Sequence, residues 1–80
     1  MYFVYILKCV DSTFYTGIAK DIEARLETHK EGKGSKYVRA RLPFTLIYKE
    51  TIPTRSQALK RELQIKSMNK VEKNMLIHKK

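Results

Sequence analysis

The pattern of the chain predicts an α+β fold: a small, three-stranded, mostly antiparallel sheet flanked by helices in the order β-β-α-α-β-α-α. Three observations carry this. The N-terminal run YFVYILKC is β-branched, aromatic and apolar on both faces, which suits a central strand covered above and below. A four-residue polar turn separates it from a second strand-like run, as in a hairpin. The second half of the chain carries two helix-start signatures, Thr54 with Gln57 and Asn69 with Glu72. Helices packed on an antiparallel sheet are the natural way to cover such a strand set. At 80 residues the chain is read as a single domain, 1–80, with no linker, repeat or low-complexity tract.

The elements follow in order. Residues 2–9 form the first strand, with Phe3, Tyr5, Leu7 and Cys9 on one face and Tyr2, Val4 and Ile6 on the other. FYTGIA is the second strand. DIEARLETHKE has helical spacing, with Ile22 and Leu26 four apart and acids in the first turn. GKGS ends that helix, and SKYVRAR is a short helix or turn. PFTLIYKE is the third strand, opened by Pro43, where a missing N–H does least harm, and TIP is a connector. A helix then runs from the Thr54 cap to about Ser67, and a last short helix follows Asn69.

A chain this short buries only about 60% of its unfolded surface. Apolar residues are 42% and charged residues 31%, a globular balance. The single cysteine, Cys9, excludes an intrachain disulfide and reads as a packed strand residue. The N-terminal run is too short for a membrane span and lacks a basic start and a cleavage site, so the expected location is cytoplasmic. The net charge of +9 is large for the size and points to a polyanion, most simply nucleic acid. There is no Walker loop, no paired-cysteine zinc pattern and no nucleophile elbow.

Side chains able to do chemistry gather on a few elements. On the first helix Ile22, Arg25, Leu26 and His29 share one face through three- and four-residue steps. Arg suits fork-like phosphate binding, and His titrates near neutral pH. Taken singly, each is more simply a snorkelling Arg and an edge His; together they can position a phosphodiester and move a proton. On the later helix Glu62 lies four after Ala58 and three before Ile65, at the edge of the apolar face. A carboxylate there needs either a cation, such as Arg25 or Lys66, or a metal; Mg²⁺ often takes only one or two protein carboxylates. Tyr5 and Tyr15 project from the same face if the hairpin loop holds three residues, and from opposite faces if it holds two. Gly17 shares the face of Tyr15, and a strand glycine often marks close approach by another group.

The clearest binding element is KGSKYVRAR, where Lys33, Lys36, Arg39 and Arg41 occur without an acid and with Tyr37 among them. Basic groups grip phosphates, and an aromatic ring can stack on an unpaired base. Arg55, Lys60, Arg61, Lys66, Lys70, Lys73, Lys79 and Lys80 add to the excess, much of it as a solvated helix face. His78, near the end, reads as exposed.

This arrangement resembles the GIY-YIG nuclease family, and the small stand-alone bacterial branch in particular. VYI (Val4-Tyr5-Ile6) corresponds to the first family tripeptide and YTG (Tyr15-Thr16-Gly17) to the second. IEARLETH is similar to the family helix that bears an Arg and often a His, and SQALKRELQIK to the helix with the metal-binding Glu. KYVRARLP also has a counterpart in that branch, and the resemblance covers nearly the whole chain. The departures are Val4 for a Gly, Ile6 for a Tyr, Thr16 for an Ile, and Ser12 in a turn that favours Gly. The family's late supporting Asn has two candidates here, Asn69 and Asn74.

The resemblance implies a GIY-YIG-like fold and an endonuclease that hydrolyses phosphodiester bonds, with DNA as the partner in repair- or recombination-type processing. By the same resemblance, Glu62 holds one divalent ion, Mg²⁺ or Mn²⁺. Arg25 binds the scissile phosphate. Tyr5, helped by His29, handles the proton of the attacking water. Tyr15 orients phosphate or water, and Gly17 keeps the floor of the site open. The competing expectation is a non-catalytic module that grips nucleic acid through its basic surface. A weaker one is a protein-interaction domain. The family's nuclease domains often sit beside a separate DNA-binding domain, so a partner protein could supply targeting.

Overall fold

The computed structural model describes residues 1–78, so Lys79 and Lys80 of the basic C-terminal set lie outside the described residues. Its centre is β1 (Tyr2–Cys9), hydrogen-bonded on one side to β2 (Phe14–Ala19) and on the other to β3 (Phe44–Ile52). Both pairings are antiparallel. As its two apolar faces predict, β1 is covered twice. Tyr5 and Leu7 pack with Ala19, Ile22 and Val38 beneath α1 (Ile22–Lys30) and the one-turn α2 (Lys36–Arg39). Val4 and Ile6 pack on the opposite face with Ala58 and Ile65 of α3 (Arg55–Lys66), and Leu76 and Ile77 of α4 (Lys70–His78) join them. Ile65 is fully buried, and cutting it back to Ala would cost about 2–5 kcal/mol.

The hairpin loop holds three residues. Cys9 N–H donates to Thr13 O at 2.8 Å, closing Val10, Asp11 and Ser12. Ser12 takes the left-handed conformation (φ 68°) that such a loop needs at its third position, where glycine is the unstrained choice. Asp11 accepts from Thr13 N at 3.1 Å and from Thr13 Oγ1 at 2.6 Å. Arg41 Nε reaches Asp11 Oδ2 at 3.0 Å and so ties the loop to the segment before β3.

The helices start at capping side chains, with the Thr54 and Asn69 caps among them as expected. Asp21 caps α1, Ser35 caps α2 and Thr54 caps α3. At α4, Glu72 N–H donates to Asn69 Oδ1 and Asn69 N–H donates to Glu72 Oε1, a closed box. At the end of α1, Gly32 (φ 77°) N–H donates to His29 O and Lys33 N–H to Thr28 O, the two bonds of a Schellman stop.

Residues 36–39 take the helical one of the two forms read for this segment, because Ser35 caps the turn and Val38 is buried under it. One boundary differs from the sequence expectation. β3 continues through Thr51 and Ile52, because β1 still offers Phe3 and Tyr2 as ladder partners there. Arg61 of α3 clamps this strand from the side, donating to Glu50 at 2.6 Å and 3.2 Å, while the Tyr48 hydroxyl donates to the same carboxylate.

Candidate active site

The three-residue loop decides the register. Tyr5 stands opposite Gly17 and Leu7 opposite Tyr15, so both phenols lie on the face covered by α1 and α2. Gly17 has a spatial role here. A Cβ at this position would lie 2.6 Å from Tyr5 Oη and 2.8 Å from Tyr5 Cζ, so any side chain would displace the phenol that crosses it. Tyr5 itself is fully buried.

Helix α1 brings His29 onto that phenol. His29 is 2% exposed, and its Nε2 is 2.9 Å from Tyr5 Oη. The imidazole is held edge-on by Tyr15 (centroids 5.5 Å apart) and Phe44 (6.0 Å). Its Nδ1 is buried with no partner, so no hydrogen bond on that side fixes the tautomer and Nε2 is free to accept. Gly34 lies against it: a Cβ there would be 2.5 Å from His29 Nδ1. Sequence reasoning treated Gly34 only as a helix stop, since nothing local marks a loop glycine that packs on an imidazole. Arg25, one turn earlier, is exposed, and its Nη1 donates to Ile18 O at 3.2 Å, beside the end of β2.

The electrostatics converge on Tyr5. Burial pushes its phenol up to about 12, Tyr15 and Glu62 add to the rise, and the Arg25 guanidinium opposes it. Burial, and then the Arg25 charge, hold His29 below its ordinary value, so it is neutral at pH 7.

Glu62 comes from the other layer. α3 packs on the Val4 and Ile6 face, yet its Glu62 carboxylate is felt by the Tyr5 phenol. The Glu62 side chain is 16% exposed and pairs with Lys66 Nζ at 3.4 Å, one turn on, rather than with Arg25. Among the described residues no group of three or more His, Cys, Asp or Glu side chains could cage a metal. This donor set excludes a closed zinc- or calcium-type site. It does fit a hydrated ion of the Mg²⁺ kind, held by one carboxylate together with a substrate phosphate.

The basic segment divides. Lys33, Lys36 and Arg39 are exposed, Lys33 with only a distant 4.0 Å pairing to Glu31. Tyr37 and Arg41 have internal partners. Tyr37 stacks on Tyr15 (centroids 6.1 Å apart, rings inclined 26°), and the Arg41 guanidinium lies 3.8 Å above the Tyr37 ring. Of the two asparagines, Asn69 is spent on capping α4 and Asn74 is half-buried within that helix. Cys9 is buried, and His78 is exposed. Thr16, on the α3 side of β2, is buried with its hydroxyl unpaired.

No helix among the described residues is long and apolar enough to cross a membrane. The chain is 50% identical over 76 residues to UPF0213 proteins of several Staphylococcus aureus strains, covering 95% of this chain and 93% of the relative. It is similar to the solution NMR structure of a UPF0213 protein from Bacillus halodurans, with 37% identity, TM-score 0.62, and 96% of this chain and 83% of that one covered. A second solution NMR structure, of a protein from E. faecalis, matches with 36% identity and TM-score 0.64 over 94% of this chain and 81% of that one. The description GIY-YIG catalytic domain matches residues 1–74. A match of that extent, over the same residues that bring Tyr5, Tyr15 and His29 together, makes this chain a member of the GIY-YIG catalytic domain family, a family of nucleases.

Proposed function

We propose that this protein is a divalent-metal-dependent endonuclease that hydrolyses phosphodiester bonds in DNA. The observation that carries the reading is the 2.9 Å contact between Tyr5 Oη and His29 Nε2 in a buried setting. A buried phenol needs an acceptor in any setting; here that acceptor is an imidazole kept neutral by burial and by Arg25, so it can also take up a proton.

With the Tyr5 phenol raised to about 12, only about one molecule in 10⁵ would carry a phenolate at pH 7. Tyr5 therefore acts as a relay. Its oxygen takes a proton from the attacking water while its own proton passes to His29 Nε2. The water oxygen forms the new P–O bond, the bond to the leaving oxygen breaks, and solvent protonates that oxygen. Arg25 binds the phosphate, and Tyr15 orients it. Glu62 would hold the metal, which when bound supplies charge stabilisation on the leaving side. Because Tyr5 is fully covered in the free protein, substrate binding has to open a path to its hydroxyl.

The test is cleavage of labelled single-stranded, duplex and branched DNA with Mg²⁺, Mn²⁺ or EDTA, beside Glu62→Gln and Arg25→Ala proteins that still fold. Metal-dependent cutting by the unsubstituted protein alone supports the reading and identifies the substrate shape. Binding without cutting, equal in all proteins, would leave a nucleic-acid-binding module.

A further inference from the structure

Among the described residues the outer edge of β2 has no partner strand, and hollows open along it. One, of about 250 Å³, lies between Phe14, Tyr15 and Tyr37 on one side and Lys66 and Lys73 on the other. A second, of about 220 Å³, is lined by Ser12, Thr13, Phe14, Lys70 and Lys73. The two share Phe14 and Lys73, so they form one trough. It starts at Tyr15 and at Lys66, the ion partner of Glu62, and runs away from the candidate site toward the hairpin loop. No acid lines it. Glu72, the acid of α4, is taken up in the Asn69 cap.

We infer that this trough between the start of β2 and α4 is a binding subsite for unpaired nucleotides next to the bond that is cut. This deepens the nuclease reading and takes its ligand class from it. The argument is chemical. Three lysines with half-buried aromatic rings between them offer phosphate contacts and a stacking wall together, which is how proteins hold single strands. Lys70 already sits over the Phe14 ring, with Nζ 5.6 Å from its centroid and 3.5 Å from Ser12 O. Both contacts are weak, and a base on the ring and a phosphate on the ammonium would replace them. Each hollow is below the ~300–1,000 Å³ of a small-molecule pocket, so a shallow connected trough suits a polymer better than a compact ligand. The KYVR turn, which sequence reasoning favoured, meets this trough only through Tyr37.

The test measures anisotropy of labelled 4-mer and 12-mer single-stranded DNA in EDTA over a range of salt. Three proteins are compared: unsubstituted, Lys70→Ala with Lys73→Ala, and a control with Lys30→Ala and Lys49→Ala that removes the same charge elsewhere. The trough variant should bind the 12-mer roughly tenfold more weakly, and the log–log salt slope should fall by about 1.4, near 0.7 per lost phosphate contact. The 4-mer should lose much less, and the control pair should match the unsubstituted protein. Phe14→Leu should weaken 12-mer binding with no change of slope. An equal loss in the control pair, no loss in the trough variant, or no 12-mer binding at all would overturn the subsite. Circular dichroism melts identify any variant that misfolds, and Phe14→Leu then decides. Cleavage with Mg²⁺ or Mn²⁺ is scored separately. If no protein cuts but the trough variant alone loses the 12-mer, the subsite stands and the nuclease reading falls.

Discussion

Tyr5 Oη and His29 Nε2 are 24 residues apart in sequence and 2.9 Å apart in the folded protein. Removing the hydroxyl leaves both imidazole nitrogens buried without a partner, since Nδ1 has none already. Tyr5→Phe should therefore cost about 1–3 kcal/mol of stability and lower cleavage by roughly 10²–10⁴. Urea denaturation and single-turnover kinetics measure the two losses. A Tyr5→Phe protein that cuts normally would remove Tyr5 from the chemistry.

His29 gives the site its acid limit. Its folded value is depressed, so an unfolded chain takes up the proton first as pH falls. Stability is then full above about 6.5 and declines below it, by up to about 1.4 kcal/mol per pH unit for one proton. Melts between pH 5 and 8 should show this slope, and His29→Gln should lack it. The cleavage rate should also fall on the acid side and stay level from about pH 7 to 10, because Tyr5 remains protonated up to about 12. A rate rising tenfold per pH unit up to 10 would identify a phenolate base in place of a relay.

Gly34 supports His29 by lacking a side chain. In Gly34→Ala the new Cβ would meet Nδ1 at 2.5 Å, so the ring must move and lengthen its contact with Tyr5. Turnover should fall about tenfold or more while KM holds, because Arg25 and the basic surface are untouched. A rise in KM alone would mean that the loop contacts substrate.

Arg61 separates stability from chemistry. It and Glu50 are only 24% and 21% exposed, and loss of Arg61 leaves a part-buried carboxylate with only the Tyr48 hydroxyl. Arg61→Ala should cost about 1–3 kcal/mol, which is a melting shift of roughly 4–8 °C per kcal/mol in a domain this small, with turnover at 25 °C unchanged. Lost turnover with an unchanged melt would place Arg61 on the substrate.

Ser12 stores strain at the hairpin tip. Its positive φ costs about 1–2 kcal/mol for a side-chain-bearing residue, and glycine gives back about 0.5–1 through its freer unfolded chain. Ser12→Gly should thus stabilise by roughly 0.5–1 kcal/mol in urea melts; a loss would mean that the Ser12 side chain contributes more than its strain costs.

What could be read in the sequence was local or periodic. The reciprocal Asn69 and Glu72 cap forms as read. Of the face read as Ile22, Arg25, Leu26 and His29, Ile22 and His29 are buried and Leu26 half-buried, while Arg25 is exposed. Of the cations open to Glu62 it pairs with Lys66, and all these relations join residues three to seven apart. The shared face of Tyr5 and Tyr15 hung on one loop residue, and sequence left that choice open until Cys9 was seen bonded to Thr13. Contacts between distant segments were invisible. Asp11 engages Arg41 from 30 residues away, which turns part of an apparent binding loop into a structural brace. Gly34 against His29, and α4 laid beside the start of β2, likewise depend on how elements pack rather than on any pattern within one of them.

The unpaired margin of β2 has a consequence for company the protein keeps. A bare strand edge invites a strand from another molecule. Here Lys20, Arg25 and Arg55 line one end of it and Lys66 and Lys73 the other. A second copy approaching in antiparallel fashion would bring the same charges to meet them, and the pair would repel. A polyanion meets no such barrier. The same row of cations that suits a polyanion would thus keep a second copy away, so neutralising it should lead to self-association as well as to weaker binding.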